Sequence, residues 1–158
     1  MTKWEKATAV LVGSLGISTG LLVSLEGYSP TPYVDVAGVL TDCYGNTHNV
    51  SRQHIRTKQE CDRLLHNEAA RVGRMLIKDQ PNHDIKSLAS GISFVYNIGD
   101  GAYRSSTYRK KLLAEDWVGA CNEMYRWVYI TKGGKKVKSK GLENRRKKEV
   151  KLCLTGEY

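Results

Sequence analysis

The sequence has none of the short motifs that mark most metal-, nucleotide- and serine-dependent enzymes. No two of its four cysteines are spaced C-x-x-C. The four histidines are scattered and form no H-E-x-x-H motif, so a zinc site is not indicated. G-x-S-x-G, the phosphate-binding P-loop and the dinucleotide fingerprint are also missing. We therefore expect neither a metal nor an organic cofactor.

Acidic residues are in short supply. The 158 residues include 16 Asp and Glu against 25 Lys and Arg, and the net charge of +9 predicts attraction to anionic partners. Ten of the basic residues lie in residues 132–151, together with only two Glu. This stretch is either a solvated helix face and loop or a surface that attracts an anionic polymer. No DNA- or RNA-binding motif accompanies it, so we expect no nucleic-acid partner.

Charge is completely absent from residues 7–25, ATAVLVGSLGISTGLLVSL, which follow Lys3 and Lys6. As a helix these 19 residues would span roughly 28 Å, close to the ~30 Å hydrocarbon core of a membrane. Only 11 of them are apolar, and three Gly and five Ser or Thr weaken the segment as an anchor. Three interpretations fit: a cleaved signal peptide, a buried core helix, and a marginal anchor that can enter and leave a membrane. The basic residues before it would hold its N-terminus on the cytoplasmic side.

The rest of the chain, long enough for one domain with its own core, changes from a strand pattern to a helical one. Alternating residues within 33–41, bounded by Gly and Pro, predict a small antiparallel sheet. Helical spacing begins after the capping-box sequence Thr57-Lys58-Gln59-Glu60. Later helices are predicted to start at Asp84 or Ser87, at Ser105 or Ser106, at Asp116 and at Glu143, with a Gly- and Lys-rich loop at 131–140. The pattern indicates an α+β fold, mostly helical.

The stretch between the uncharged segment and the helices holds a Glu and an Asp nine residues apart. Hydrolysis of a glycosidic bond needs a protonated carboxyl beside the leaving oxygen and a carboxylate near the anomeric carbon. Glu26 directly follows the apolar run, so we expect it to be partly desolvated, whereas Asp35 lies among turn residues and should be solvated. Thr41 can hold a water against Asp35 by hydrogen bonding. Alternatively, Asp35 is an Asx-turn residue and Thr41 an ordinary strand residue.

Several blocks of the chain, in order, resemble the phage-type lysozymes of glycoside hydrolase family 24. The stretch EGYSPTPYVDVAGVLTDCYGNT is similar to the family pattern E-G-x-x-x-x-x-Y-x-D-x-x-G-x-x-T-x-x-x-G, and SFVYNIGDGAYRSST, RW and GLENRRKKEVKLCLTG resemble later blocks. The resemblance runs from about Leu25 to Gly156. It implies a small sheet lobe and a helical lobe with a cleft between them. The family usually has His after the glycine of the strand segment, whereas Asn46 follows Gly45 here, so a local packing or ion-pair contact of the family is not expected.

The resemblance implies a phage endolysin that lyses its bacterial host. Such a muramidase hydrolyses the β-1,4 bond between N-acetylmuramic acid and N-acetylglucosamine of peptidoglycan, with inversion of configuration. By position in the motif, Glu26 would be the general acid, Asp35 the carboxylate that stabilises positive charge and positions water, and Thr41 the residue that assists that water. The alternatives are a lytic transglycosylase, which can dispense with a second carboxylate, and a non-enzymatic basic protein that binds wall or membrane.

The long front end resembles the signal-anchor-release endolysins within this family. This resemblance implies that residues 1–25 are a weak transmembrane helix and residues 26–158 the catalytic domain. The helix would tether an inactive, periplasm-facing enzyme to the host inner membrane until a holin or pinholin depolarises it, and the enzyme would then enter the periplasm. We expect residues 7–25 to pack as a helix on the catalytic domain after release and to help order Glu26. Residues 1–25 contain no Cys, so we expect refolding alone to control activity, and we expect a monomer.

The four cysteines fit this location, because the periplasm is oxidising and favours disulfides. Four cysteines allow three pairings, of which we guess Cys43–Cys61 and Cys121–Cys153. In a cytosolic protein the same residues would be small buried hydrophobes.

Overall fold

Helices carry most of the chain, and two short hairpins carry the rest of the regular structure. The computed structural model describes residues 1–158. In chain order the elements are α1 Lys3–Glu26, β1 Ser29–Val34, β2 Leu40–Cys43, α2 Lys58–Asp79, α3 Ile85–Ile98, α4 Asp100–Ser105, α5 Thr107–Leu113, α6 Trp117–Glu123, a 3-10 turn Met124–Arg126, β3 Tyr129–Lys132, β4 Lys135–Lys138 and α7 Lys140–Thr155. The prediction of a mostly helical α+β fold is confirmed.

The first hairpin, β1 with β2, forms the small sheet lobe that residues 33–41 predict. The strands are antiparallel, with Tyr33 opposite Thr41. The turn between them begins at Asp35, whose backbone N–H donates to Val39 O at 2.9 Å. This short connection brings Asp35 and Thr41 side by side at one end of the lobe.

The second hairpin, β3 with β4, spans residues 129–138, so the prediction of a Gly- and Lys-rich loop at 131–140 was wrong. Gly133 and Gly134 form its two-residue turn with φ of +56° and +77°, which matches the twist of a tight hairpin. The four lysines on these strands obscured the strand pattern, because Lys is depleted in strands. The hairpin shortens the connection that follows, so α7 begins at Lys140 rather than at Glu143.

Most helix starts follow side-chain caps that are visible in the sequence. The predicted capping box at Thr57 starts α2, and Asp84, Ser106 and Asp116 cap α3, α5 and α6. The short helix α4 was not predicted. It begins directly after Gly99 without a side-chain cap, so the sequence carries no local signal for it.

The centre of the helical lobe is α3, with α1, α2 and α7 packed around it. All nine residues from Ser87 to Val95 are buried. Its large apolar residues Leu88, Ile92 and Phe94 are fully buried, and burial of each contributes about 1.5–3 kcal/mol. The N-terminal helix α1 completes this core, because it covers one side of both α2 and α3.

The face of α1 that packs on the domain consists of small and aliphatic residues. Its buried members are Ala7, Leu11, Ser14, Ser18, Leu21 and Leu22. Leu11 lies so close to Gly73 of α2 that a Cβ added to Gly73 would come within 2.3 Å of it. The Ser14 hydroxyl lies 3.0 Å from Ile85 O at the start of α3. Residues 7–25 therefore pack as a helix on α2 and α3, which is the arrangement expected of the released chain. The same helix is long and apolar enough to cross a membrane.

Two disulfides join elements that are distant in the chain. Cys43–Cys61 links β2 to α2, and Cys121–Cys153 links α6 to α7. Both guessed pairings are confirmed, and no cysteine is free. Each bridge typically stabilises a fold by about 3 kcal/mol.

Candidate active site

Glu26 is the last residue of α1, so the docking of that helix determines where its carboxylate lies. Gly27, with a φ of +69°, ends the helix and leads into β1. The Glu26 side chain is only 16% exposed. Its Oε2 faces Gly45, where an added Cβ would come within 3.2 Å of that oxygen. A side chain at position 45 would therefore crowd the carboxylate.

Arg145 of α7 is the partner of Glu26 that the sequence analysis missed. Its Nη1 donates to Glu26 Oε1 at 2.5 Å, and its side chain is only 7% exposed. The expected partial desolvation of Glu26 is thus present, but its surroundings include a guanidinium rather than apolar groups alone. Arg145 is in the block GLENRR, yet nothing local pairs it with a residue 119 positions away.

A buried network on α7 holds Arg145 in place. Its Nε donates to Glu149 Oε1 at 3.0 Å, and its Nη2 donates to Ser93 O at 3.1 Å. Glu149 is completely buried and also accepts from Arg146 Nη1 at 2.6 Å. Burial lowers the pKa of Arg146, while the Glu149 carboxylate acts in the opposite direction. Because every charge in the network is paired, the guanidinium that faces Glu26 has a fixed orientation.

Asp35 and Thr41 are in direct contact on the sheet lobe. Asp35 Oδ1 accepts from the backbone N–H groups of Ala37 and Val39, both at 2.9 Å. The other oxygen, Oδ2, lies 3.4 Å from Thr41 Oγ1, which is itself 3.0 Å from Val39 O. A hydroxyl has one proton, and the shorter contact with Val39 O takes it. The lone pairs of Thr41 and Asp35 Oδ2 are then free to receive a water. The alternative of an Asx-turn residue fits Oδ1 alone.

The pKa of Tyr33 responds to the charges of both Asp35 and Glu26. Burial raises its pKa, and the charges of Asp35 and then Glu26 add to that increase. Tyr33 also pairs with Thr41 across the sheet. Tyr96 of α3, on the helical side, has its pKa raised beyond the usual range by burial and next by the Glu26 charge. Asp35 and Thr41 are thus in contact, and the charges of both Asp35 and Glu26 act on the adjacent Tyr33.

Two open grooves lie near this site. The first, of about 800 Å³, is called the Arg71 groove; Gly45, Asn46, His48, Arg71, Tyr96 and Asp100 are among its lining residues. The second, of about 750 Å³, is called the Trp127 groove; Val36, Asn97, Arg126, Trp127, Tyr129 and Lys136 are among its lining residues. Tyr96 and Asn97 are consecutive residues of α3, and each lines one of the grooves. Gly45 lines the first groove, and Val36, which follows Asp35, lines the second. No group of three or more His, Cys, Asp or Glu is arranged to hold a metal ion.

A largely buried acid at a helix end, an Asp–Thr pair in contact on a small sheet lobe and two grooves nearby are features of a lysozyme-type glycoside hydrolase. A family model described as phage lysozyme matches residues 23–149. The chain belongs to the phage lysozyme family. It is similar to the SAR-endolysin of Enterobacteria phage PA-2, with 38% identity over 96% of this chain and 94% of that protein.

Solved structures agree with this assignment. The endolysin from Escherichia coli O157:H7 phage FAHEc1 superimposes with a TM-score of 0.76 and 26% identity, over 90% of this chain and 93% of that chain. The active form of P1 phage endolysin Lyz superimposes with a TM-score of 0.74 and 26% identity, over 99% of this chain and 95% of that chain. The chain is thus a lysozyme-type glycoside hydrolase that acts as a phage endolysin, with peptidoglycan as its substrate.

Proposed function

We propose that the chain hydrolyses the β-1,4 bond between N-acetylmuramic acid and N-acetylglucosamine, with Glu26, Asp35 and Thr41 as its catalytic residues. The observation that carries this proposal is that each carboxylate lies next to a groove. Glu26 Oε2 faces Gly45, which lines the Arg71 groove, and Asp35 directly precedes Val36, which lines the Trp127 groove. A polymer lying in both grooves would pass between the two carboxylates. The cut bond would then lie inside the chain of sugars rather than at its end.

Glu26 is the general acid in this proposal. Its Oε1 is engaged by Arg145, so Oε2 is the oxygen that faces the leaving group. Gly45 leaves the space in which the glycosidic oxygen can approach it. The proton moves from Oε2 to that oxygen as the bond to the anomeric carbon breaks. Arg145 then stabilises the carboxylate that remains.

Asp35 and Thr41 bind and orient the attacking water in this proposal. Backbone amides hold Asp35 Oδ1 still, so Oδ2 points a negative charge at the anomeric carbon. A water that hydrogen-bonds to Asp35 Oδ2 and Thr41 Oγ1 attacks that carbon and gives its proton to Asp35. Attack from the side opposite the leaving oxygen inverts the configuration. A lytic transglycosylase needs no such water site, so this pair favours hydrolysis.

The experiment that tests the proposal is digestion of purified peptidoglycan by Glu26→Gln, with Glu157→Gln as the matched control. Glu157 is exposed at the C-terminus, so its loss should leave the rate unchanged. Glu26→Gln should lower the rate by about three orders of magnitude or more. Reducing-end products of inverted configuration are expected, without anhydro sugars. Undiminished digestion by Glu26→Gln, or lysis that depends only on positive charge, would support the basic binding protein instead.

We further propose that residues 1–25 act as a releasable membrane anchor and residues 26–158 as the catalytic domain. The helix α1 can cross a membrane by length and composition. Its outward face in the folded protein is also uncharged, with Val12 and Val23 exposed at 69% and 46%. The two disulfides agree with an oxidising periplasm. The tethered chain would face the periplasm from the host inner membrane and be freed when a holin or pinholin depolarises that membrane.

Cell fractionation before and after an uncoupler tests this second proposal. The intact chain should move from the membrane fraction to the soluble fraction, and its mass should still include residues 1–25. A soluble product that lacks those residues would instead identify a cleaved signal peptide. One chain supplies both carboxylates and both grooves, so we expect a monomer by analytical ultracentrifugation.

A further inference from the structure

Residues 41–46 comprise the end of β2 and the turn that follows it; this segment, here called the 41–46 loop, meets both candidate catalytic carboxylates. At its start, Thr41 Oγ1 lies 3.4 Å from Asp35 Oδ2. Near its end, Gly45 lies against Glu26 Oε2, where an added Cβ would come within 3.2 Å. A displacement of this loop would therefore alter the surroundings of both carboxylates together.

A largely buried ion pair fixes the loop. The Asp42 side chain is 1% exposed, and its Oδ2 accepts from Arg56 Nε at 2.7 Å. Its Oδ1 accepts from Asn46 Nδ2 at 2.7 Å, and two backbone hydrogen bonds of 2.9 Å join the same two residues. Arg56 also donates to Asn49 O at 2.7 Å and, through its backbone, to Pro30 O at 3.3 Å. The loop is thereby tied to β1.

Stability alone is a weak reason for this ion pair. Taking two charges out of water costs about as much as their attraction returns, and well-packed apolar residues often stabilise such a site equally well. A buried ion pair is, however, demanding about geometry, because either charge is left uncompensated if its partner moves. Asp42 and Arg56 line neither groove. Any effect of Asp42 and Arg56 on the reaction must therefore be transmitted through the 41–46 loop.

We propose that Asp42 and Arg56 are positioning residues for glycoside cleavage, whose ion pair fixes the 41–46 loop and thereby the relative placement of Glu26 and Asp35. The inference rests on the proposed function of those two carboxylates. Asn46, which bonds to Asp42 and follows Gly45 in the chain, connects the ion pair to Gly45. A displacement of about 1 Å near reacting groups can lower a rate by about 100-fold. Of the groove residues named above, only Gly45 and Asn46 belong to the loop, so KM should be affected less than kcat.

The first test compares Asp42→Asn with Asp79→Asn on soluble peptidoglycan strands. Asp79 makes a matched ion pair, with Arg109 Nε at 2.7 Å from its Oδ2, between α2 and α5 and away from both grooves. Both variants are assayed at a temperature at which circular dichroism shows them folded. Asp42→Asn should lower kcat by about 10-fold or more with KM within about twofold. Asp79→Asn should lose stability but keep kcat. A wild-type kcat in folded Asp42→Asn would overturn the proposal.

A second test asks whether the effect passes through the loop. Each Asp→Asn change is combined with Thr41→Ala. With Asp42→Asn the two losses in kcat should be clearly less than multiplicative, because both act on the same arrangement. With Asp79→Asn they should multiply. Arg56→Lys should retain part of the kcat that Arg56→Gln loses. If the kcat losses of Asp42→Asn and Thr41→Ala multiplied, the Asp42–Arg56 pair would have only a structural role and the proposal would be wrong.

Glu26→Gln separates failure of this inference from failure of the proposed function. If Glu26→Gln digests peptidoglycan at the wild-type rate, the assignment of the carboxylates is wrong and the positioning role falls with it. If Glu26→Gln is inactive while folded Asp42→Asn keeps the wild-type kcat, the catalytic assignment stands and the positioning role alone is wrong.

Discussion

The two helices that meet at the site, α1 and α7, dock on the same central helix by opposite means. Between residues 7 and 25, α1 has no charge and packs through small residues and a close fit of Leu11 against Gly73. α7 instead buries three charged residues, Arg145, Arg146 and Glu149, in a closed network. Glu26 ends the first helix and its partner Arg145 lies on the second.

This difference in docking fits the release proposal, in which α1 leaves the domain and α7 remains packed on it. An uncharged face of small residues loses little when it passes from protein to lipid, because no charge has to be desolvated. Moving α7 would expose three coupled charges and break the Cys121–Cys153 bridge or carry α6 with it. In the release proposal, the active site therefore lies at the contact between a part of the fold that stays in place and a part that leaves it.

The largest effect is expected on the α7 side, from Arg145→Gln. This change leaves the buried carboxylates of Glu26 and Glu149 without one of their cations. Breaking a buried ion pair in this way typically costs about 3–5 kcal/mol. Urea unfolding should show that loss, together with a fall in activity of about 100-fold or more. A variant as stable as the wild type would show that α7 is not held by charge.

His83, beside Lys3, Lys6 and Val10 of α1, makes that end of the molecule sensitive to acid. Burial lowers its pKa to about 4, and its Nε2 has no hydrogen-bond partner. The unfolded chain binds the proton near pH 6.5, so the folded state loses relative stability as the pH falls from about 6.5 to 4.

Over that interval His83 accounts for about 3 kcal/mol. Urea unfolding between pH 7 and pH 4 should therefore show a smaller decline for His83→Gln than for the wild type. If the unfolding free energies of the two proteins fell equally between pH 7 and pH 4, His83 would not be buried as a neutral group in solution.

Gly73→Ala should disturb the docking of α1 through steric overlap, without any change of charge. The added Cβ would come within 2.3 Å of Leu11, so that side chain or the helix must shift, at a cost of about 1–3 kcal/mol. Gly16→Ala is the matched control on α1, because nothing lies within 4 Å of its Cβ. That change should be neutral or stabilise by up to about 1 kcal/mol. Thermal unfolding and activity measure both, and adding Leu11→Ala to Gly73→Ala should restore activity in part. Equal effects of the two glycine changes would contradict the fit.

The smallest effect is expected from the exposed charges of α7. Lys147 and Lys148 make no ion pair, in contrast to the buried arginines before them. Lys147→Gln and Lys148→Gln should each change stability by less than about 0.5 kcal/mol. Binding to intact wall should weaken slightly at low salt and not at high salt. A large loss of stability would mean that the exposed charges of α7, and not only its buried ones, hold the helix in place.

Local signals made much of this structure predictable. Thr57, Asp84, Ser106 and Asp116 each mark a helix start with a side chain that caps the backbone within three residues. The spacing of the residues at the site, read with the family resemblance, identified a set that the fold brings together. Both kinds of information lie within a few residues of the feature they predict.

The missed features depend on partners that are far apart in the chain. Arg145 reaches Glu26 only because α1 and α7 pack on the same helix, and Gly73 acquires its role only from Leu11. The hairpin at β3 and β4 was missed for a different reason. Its strands are exposed and lysine-rich, so they lack the alternation that marks a half-buried strand.

The central claim is that Glu26 reaches its working position only when α1 is docked on α2 and α3. Its most direct test is the activity per molecule of the intact chain on added soluble peptidoglycan strands, first in isolated membranes and then after release by an uncoupler. The account predicts negligible activity in the membrane-held chain and full activity in the released chain, with residues 1–25 still present in both. Equal activity per molecule in the two states would contradict it.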